Sequence, residues 1–275
     1  MSVETERTSP HASPLRIGSV SFLNAKPLIY GLEEAPGLEL HLDVPSRLLD
    51  GLIDASFDVA LLPVIDYQRL PGLRLLTSGG IGSDGPTLTV RIFSPVPIER
   101  IATLACDTDS HTSVALARVL LAERFGIRPE FVPLSSTPSD SQTARLLIGD
   151  KVVCEEPAGL SHQLDLGQAW KQHTGLPFVF AAWMARAGID LGDLPDRLES
   201  AKRAGMANIA AIIDRHATPR GWPADTARDY LTQHLQFDIT PAHLRAIRLF
   251  HNLAFKYGLI PHSPWDLNLV EPTSI

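Results

Sequence analysis

Residues 18–32 read GSVSFLNAKPLIYGL and contain the first strand-to-helix corner of the chain. The RIGSV segment, residues 16–20, is typical of a short buried strand, and Pro27 suits the first turn of a helix, where no N–H donor is required. Because the first N–H groups of a helix have no partner inside it, such a corner favours anion binding. Asn24 lies at this corner, where its amide can serve as a ligand contact or as the helix N-cap.

Outward from this corner, short apolar runs alternate with helix-length amphipathic segments, which indicates an α/β protein with a largely parallel sheet. A second set of such units follows Pro95, and the pattern beyond residue 194 is helical throughout. A tail without strands most simply covers the first sheet, so we expect two lobes with a ligand cleft between them. The predicted division is a leader of residues 1–14 that is disordered, a first lobe of residues 15–94 plus 182–275, and an inserted lobe of residues 95–181.

The composition limits the partners of the protein. The chain has 275 residues, of which 44% are hydrophobic, and a formal net charge of -7. This balance argues against nucleic acid or an anionic membrane as a partner, because both would repel the protein. The first residues lack the order of a secretory signal, and no apolar run approaches the ~20 residues of a membrane helix. We therefore expect a cytoplasmic location.

The sequence carries no motif for a metal or a nucleotide cofactor. Cys106 and Cys154 have no second cysteine or histidine at metal-ligand spacing, so both are predicted to be buried free thiols. The glycines of SGGIGSDGPTLTV, residues 78–90, match neither a GxGxxG fingerprint nor a P-loop. None of the ten histidines belongs to a recognisable catalytic motif, and His243 and His251 are predicted to lie on solvated helix faces.

Two polar clusters are candidates for ligand binding. DTDSHTS, residues 107–113, places four hydroxyls and one histidine around a helix start, where N-capping requires only one of them, and this excess favours anion binding. Glycines in residues 78–90 let the backbone approach a ligand, although a plain turn explains them equally well. Besides Asn24, the predicted ligand contacts are Ser21, Ser46, Gly85, Thr87, Thr89, Thr108, Ser110, His111, Thr112 and Ser113.

Five stretches, in this order, resemble the chorismate dehydratases of menaquinone biosynthesis by the futalosine route. They are RIGSVSFLNAKPLIYGL, VPSRLLDGLIDASFDVALLPVIDY, SDGPTLTVRIFS, DTDSHTSVALARVLL, and IGDKVV followed by LDLGQAWKQHTGLPFVFAAW. The likeness runs from residue 16 to residue 183, and the helical tail agrees more loosely through residue 258. The chain departs from the family pattern at His111, where a permanent cation often stands, and at Thr89, where the family often has serine.

The resemblance implies a two-lobed fold similar to class II periplasmic binding proteins, with a mixed sheet flanked by helices in each lobe. It also implies a lyase that dehydrates chorismate, a dicarboxylate, to 3-[(1-carboxyvinyl)oxy]benzoate without a cofactor or a metal. In this interpretation Asn24 hydrogen-bonds the leaving hydroxyl or a carboxylate, and the proton leaves to the carboxylate of the substrate itself. The hydroxyls at the helix start hold the substrate. Its ring becomes aromatic in the reaction, and aromatisation supplies much of the driving force.

Two other functions fit the same pattern. The related 1,4-dihydroxy-6-naphthoate synthase shares the implied fold, although the Phe-Leu-Asn and Thr-Gly-Leu-Pro-Phe pieces look more like the dehydratase. A non-catalytic solute-binding protein for a small carboxylate would have the same cleft, because a fold does not decide between binding and turnover. The sequence leaves the oligomeric state open.

Overall fold

The computed structural model describes residues 13–107, 110–137, 142–154 and 159–273. The predicted leader therefore lies outside the described residues, apart from residues 13 and 14. The strands are β1 (Leu15–Ser19), β2 (Leu38–Leu42), β3 (Val59–Pro63), β4 (Arg74–Ser83), β5 (Val90–Ser94), β6 (Thr103–Cys106), β7 (Glu130–Pro133), β8 (Ala144–Ile148), β9 (His162–Asp165), β10 (Phe178–Ala185) and β11 (Leu269–Val270).

These strands form two mixed sheets, as expected from the alternating pattern. The first sheet has the order β11-β4-β10-β3-β1-β2, and the second has the order β7-β6-β8-β5-β9. In the first sheet β1 pairs in parallel with β2 and β3, whereas β10 is antiparallel to β3 and β4. In the second sheet β6 is parallel to β7 and β8, and β5 is antiparallel to β8 and β9. All five residues of β3 are buried, which explains its continuous apolar sequence.

The chain crosses between the two sheets twice. The first crossover comprises residues 84–89, and the second comprises residues 166–177. Compared with the predicted lobe boundaries after residues 94 and 181, β5 lies in the second sheet and β10 begins in the first sheet at Phe178. The division into two lobes that fold as units stays a prediction.

Helices cover both sheets. The α-helices are α1 (Pro45–Ile53), α2 (His111–Phe125), α3 (Asp150–Cys154), α4 (Leu166–Thr174), α5 (Leu194–Ala207), α6 (Ile209–Ile212), α7 (Ala224–Asp229) and α8 (Pro241–Lys256). A 3-10 helix follows β1 at Leu23–Ile29, and a second follows β3 at Val64–Gln68. The expected helical tail is largely present, but it is interrupted by π-helical turns at Ile213–Ala217 and Tyr230–His234.

Three details differ from the sequence predictions. The tail is not free of strands, because β11 adds to the edge of the first sheet beside β4. Cys154 is exposed, so only Cys106 is the buried thiol that was expected. His243 and His251 are also buried rather than solvated. Both ring nitrogens of His251 have partners, Gln68 Nε2 at 3.0 Å from Nδ1 and the carbonyl of Val64 at 2.9 Å from Nε2.

Asp58 joins the central strands of the first sheet. It precedes β3 and accepts hydrogen bonds from Arg16 Nε at 3.1 Å and Arg16 Nη2 at 2.9 Å, on β1. Arg186, which follows β10, donates to the same carboxylate at 3.1 Å. Burial raises the pKa of Asp58, but the hydrogen bonds from the two arginines outweigh burial, and the pKa is lowered overall.

A lowered pKa in the folded state means that Asp58 stabilises the fold above its unfolded-state pKa of about 4, and that this contribution is lost as pH falls through the folded value. We therefore expect Asp58→Asn to reduce the decline in the free energy of unfolding on acidification below about pH 4. Urea unfolding at several pH values measures this decline. The exposed Asp225→Asn should leave it nearly unchanged, and an identical decline in Asp58→Asn and wild type would contradict the prediction.

Gly205 allows α5 to pack against the 3-10 helix that follows β1. A Cβ atom at this position would lie 2.2 Å from the carbonyl oxygen of Pro27 and 2.6 Å from its Cα. Both atoms belong to the backbone, so neither can rotate away. Close contact between α5 and this 3-10 helix therefore depends on the missing side chain.

We expect Gly205→Ala to lower the free energy of unfolding by about 1–3 kcal/mol, the usual cost of forcing extra atoms into a packed core. In an open helix the same change would add up to about 1 kcal/mol of stability. Urea unfolding of Gly205→Ala and of Met206→Ala, which alters the exposed neighbour on the same helix, measures the difference. Stabilisation by Gly205→Ala would show that the two elements separate without cost.

Candidate functional site

A cavity of about 220 Å³ lies between the two sheets, with walls from both lobes and from the tail. One wall is largely apolar and includes Leu61, Ile81 and Phe180 from β3, β4 and β10. Asn24, Thr87, Thr89, Ser110 and Ser113, which the sequence predicted as ligand contacts, line the cavity as well. The other polar lining residues come from Asp107, the segment 149–151, and the tail residues Trp222 and Tyr230.

Asn24 lies inside the 3-10 helix Leu23–Ile29 and not at its cap. The N-cap position belongs to Phe22, whose side chain makes no capping hydrogen bond. The Asn24 side chain is consequently not used by the helix, and its Oδ1 atom is buried without a hydrogen-bond partner. A buried carbonyl oxygen is costly unless a donor reaches it. Asn24 therefore presents an acceptor to a ligand in the cavity.

The first crossover is held in a fixed shape by Asp165. Its carboxylate accepts from the backbone N–H groups of Thr87 and Leu88 and from the Thr87 hydroxyl, at 3.0–3.1 Å. Leu88 adopts a φ of 66°, a left-handed conformation that a leucine tolerates only when its surroundings impose it. This turn directs the neighbouring Thr89 into the cavity, where it is 2% exposed.

Thr89 is joined to the tail by a buried hydrogen bond. Its hydroxyl lies 3.0 Å from the hydroxyl of Tyr230, which is itself 2% exposed. Burial raises the pKa of Tyr230 to about 12, against smaller and opposite effects of the Thr89 hydroxyl and the Asn24 side chain. Tyr230 thus stays protonated at any physiological pH. Asn24, Thr89 and Tyr230 form an uncharged polar cluster in the cavity lining.

The ring of Trp222 packs against the ring of Tyr230. The two ring centroids are 5.1 Å apart, and the Trp222 indole N–H donates to Asp150 Oδ1 at 2.8 Å. Asp150 belongs to the second lobe, so the tail makes contacts on both sides of the cavity.

The N-terminus of α2 forms another part of the cavity lining. Ser110 is its N-cap and accepts from the Ser113 backbone N–H at 3.2 Å, while the two hydroxyls lie 2.8 Å apart. Next to them Lys151 Nζ donates to Asp107 Oδ2 at 2.5 Å. This wall therefore combines hydroxyls, a helix N-terminus and an ion pair, a set of groups that suits a carboxylate.

The other predicted contacts lie elsewhere. His111 and Thr112 occupy the next positions of α2, which a rotation of about 100° per residue turns away from Ser110. His111 Nδ1 lies 3.0 Å from the carboxylate of Asp66, and the Thr112 hydroxyl accepts from the Ile65 N–H at 3.3 Å. Both side chains thus connect α2 to the first lobe, outside the cavity lining.

Four more predicted contacts remain. Ser21 is exposed and its carbonyl accepts from Arg220 Nη2 at 3.0 Å, and Gly85 lies in the first crossover with a φ of 138°. Neither lines the cavity. Ser46 lies inside α1, one residue after its start at Pro45, and its contact with a ligand stays a prediction. Thr108 lies outside the described residues.

Sequence reasoning missed Asp107, Lys151, Trp222 and Tyr230. Asp107 and Lys151 occur in quoted motifs, DTDSHTS and IGDKVV, so a search for charged residues after strands could have found them. Nothing local marks Trp222 or Tyr230, because they reach the site only through the packing of the tail. Within the described ranges, no three His, Cys, Asp or Glu side chains are grouped to hold a metal ion, and no helix is long and apolar enough to cross a membrane.

Comparison with known proteins agrees with this architecture. A family model described as menaquinone biosynthesis matches residues 15–256. A chorismate dehydratase of Thermus thermophilus is 28% identical over 231 residues, 76% of this chain and 83% of the relative. A chorismate dehydratase of Campylobacter jejuni is 29% identical over 171 residues, 60% of this chain and 64% of the relative.

The fold is similar to that of periplasmic binding proteins. The periplasmic aliphatic sulphonate binding protein of Escherichia coli superposes with a TM-score of 0.66 at 13% identity, covering 96% of this chain and 96% of that protein. The two-lobed α/β fold with periplasmic-binding-protein-like architecture, expected from the sequence, is thereby confirmed.

The hydrogen bond between Thr89 and Tyr230 provides a first test of the site. We expect Tyr230→Phe to lower the free energy of unfolding by about 0.5–1.5 kcal/mol, because the ring is kept and the buried Thr89 hydroxyl loses its partner. Tyr30→Phe, at a half-buried tyrosine for which the structure gives no hydrogen bond, is the matched control in urea unfolding. Equal stability of the two variants would mean that the Thr89 hydroxyl finds another partner.

Proposed function

The chain belongs to the menaquinone biosynthesis family, and from this membership we propose that the protein is a carbon–oxygen lyase that dehydrates chorismate to 3-[(1-carboxyvinyl)oxy]benzoate. The observation that carries the proposal is the uncharged cluster of Asn24, Thr89 and Tyr230 in the lining of a cavity that also has an apolar wall. Curated relatives named chorismate dehydratase support the same reaction. Because the family model is described as menaquinone biosynthesis, we also propose a cytoplasmic location.

The cavity suits a ring that carries carboxylates and one hydroxyl. Leu61, Ile81 and Phe180 offer an apolar surface to the ring. Ser110 and Ser113, at the positive end of α2, offer hydroxyls to a carboxylate. Asn24 offers the acceptor that a substrate hydroxyl requires. In the proposed complex the hydroxyl of chorismate lies at the uncharged cluster, and these three features support that orientation.

The uncharged cluster would assist the departure of this hydroxyl. Thr89 and Tyr230 have one hydroxyl proton each, and one of the two protons is used in the hydrogen bond between them. The other proton can be donated to a ligand, so the pair supplies one donor. The leaving oxygen gains negative charge as the C–O bond breaks, and a fixed donor stabilises that charge. The substrate hydroxyl itself donates a hydrogen bond to Asn24 Oδ1, and this bond orients the C–O bond.

The reaction also removes a proton from the neighbouring ring carbon. One C–H and one C–O bond break, the electrons of the C–H bond complete the aromatic ring, and the proton and hydroxide leave as water. The carboxylates of the lining are both engaged, Asp107 by Lys151 and Asp150 by Trp222. We therefore assign the removal of the proton to a carboxylate of the substrate, which lies within the same molecule and passes the proton to the departing hydroxide, so that one water leaves. Neither oxidation nor reduction occurs, so the reaction requires no redox cofactor.

Incubation of the purified protein with chorismate tests the proposal directly. We expect loss of chorismate and formation of 3-[(1-carboxyvinyl)oxy]benzoate, followed by chromatography with ultraviolet detection. Asn24→Ala should reduce kcat about a hundredfold or more, the usual effect of removing a polar group that acts on the reacting atoms. Asn252→Ala, an exposed amide on α8, is the matched control and should retain full activity.

Two outcomes would contradict the assignment. Chorismate that binds and stays intact would favour the alternative of a non-catalytic solute-binding protein. Chorismate that neither binds nor reacts would direct the search to the substrate of the related 1,4-dihydroxy-6-naphthoate synthase. Full activity in a folded Asn24→Ala variant would leave the reaction in place and remove the role of Asn24.

A further inference from the structure

Lys151 is the one cationic side chain among the described residues that line the cavity. It lies in the first turn of α3, directly after β8. Its side chain is 43% exposed, whereas that of its partner Asp107 is 5% exposed. A cation that is accessible from the cavity and anchored on its buried side can meet an anionic ligand without first losing its position.

The topology of the second sheet brings the two residues together. Strands β6 and β8 are parallel neighbours, paired at Cys106 and Leu146, so their carboxyl ends lie at the same edge of the sheet. Asp107 follows β6 and its backbone N–H donates to the carbonyl of Leu146 at 3.2 Å. Lys151 follows β8 and its Nζ atom donates to Asp107 Oδ2 at 2.5 Å. Asp107 thus holds the ammonium group at the cavity wall.

Charge balance explains why this ammonium group is required. The lining contains two carboxylates, Asp107 and Asp150, against the single cation of Lys151. A substrate with two carboxylates would add two further negative charges next to these two. Anions held away from water are costly unless cations and hydrogen bonds compensate them. Hydroxyls of Ser110 and Ser113 supply hydrogen bonds only, so Lys151 is the group that can supply the charge.

We infer that Lys151 binds a carboxylate of the substrate and makes the cavity selective for dicarboxylates, and that Asp107 is the positioning residue for Lys151. This inference rests on the proposed function for the identity of the substrate. It concerns binding and not the chemical step, because the uncharged cluster that would act on the hydroxyl comes from Asn24, Thr89 and Tyr230. The two roles are therefore separable in kinetics.

Steady-state kinetics of Lys151→Met and Lys151→Arg with chorismate test the inference. We expect Lys151→Met to raise KM about tenfold to a hundredfold, the usual loss when a charge-assisted hydrogen bond is removed, with kcat changed less than threefold. Lys151→Arg keeps the charge and should recover most of the affinity. Lys256→Met is the matched control, because Lys256 forms a similar pair with Glu123 on α8 and α2, outside the cavity lining.

A second variant separates binding from folding. Lys151→Met leaves Asp107 as a buried carboxylate without its lysine, which can destabilise the protein by itself. The double variant Asp107→Asn with Lys151→Met removes both charges and should fold like wild type while it keeps the raised KM. Asp107→Asn alone removes one negative charge from the lining but also releases the lysine from its position, and we expect the second effect to dominate and to raise KM with little change in kcat. An unchanged or lowered KM in this single variant would overturn the positioning role.

Calorimetric binding of two aromatic acids completes the test. The probes are 3-[(1-carboxyvinyl)oxy]benzoate, with two carboxylates, and 3-ethoxybenzoate, with one. Lys151→Met should bind the dicarboxylate at least tenfold more weakly than wild type does. The affinity of Lys151→Met for the dicarboxylate should then be close to its affinity for the monocarboxylate. If wild type converts chorismate but Lys151→Met binds the dicarboxylate as tightly as wild type does, the inference is overturned and the proposed function stays intact. A wild-type protein that does not convert chorismate would instead overturn the proposed function.

Discussion

The carboxylate of Asp165 is the constraint on which the arrangement of the two lobes depends. It closes the first crossover by accepting from Thr87 and Leu88, and it caps α4 at the start of the second crossover by accepting from the Gln168 N–H at 3.1 Å. One side chain therefore fixes both connections between the sheets. Since Thr89 follows directly in the chain, the same carboxylate also determines the position of a residue of the uncharged cluster.

The sequence predicted the features that depend on local chemistry. Strand β3 was recognisable because burial on both faces demands an unbroken apolar run, and Ser110 was recognisable because hydroxyls concentrate where a helix begins. Asn24 was found for a related reason, although the structure uses Phe22 and not Asn24 at the start of its helix. Such residues can be identified from their neighbours in the sequence, because the pattern of one segment is sufficient.

The features that escaped prediction depend on long-range packing. His251 resembles any surface histidine in sequence, and its burial follows only from the contact of α8 with the segment Val64–Gln68. His111 and Ser110 are adjacent in sequence, yet helical rotation sends one towards Asp66 and the other towards the cavity. Tyr230 is 141 residues from Thr89, so no motif could join them. Two residues of β11 are likewise too few to show a strand pattern.

The dependence of the cavity on the tail has a consequence for how the protein is made. Trp222, Tyr230 and Leu235 complete a site whose other walls are encoded within the first 183 residues. During synthesis, both sheets except β11 can emerge from the ribosome well before the residues that close the cavity. A nascent chain would then have an open cleft, with the partners of Thr89 and Asp150 still unsynthesised, and ligand could not assist its folding until the last fifth of the chain was present.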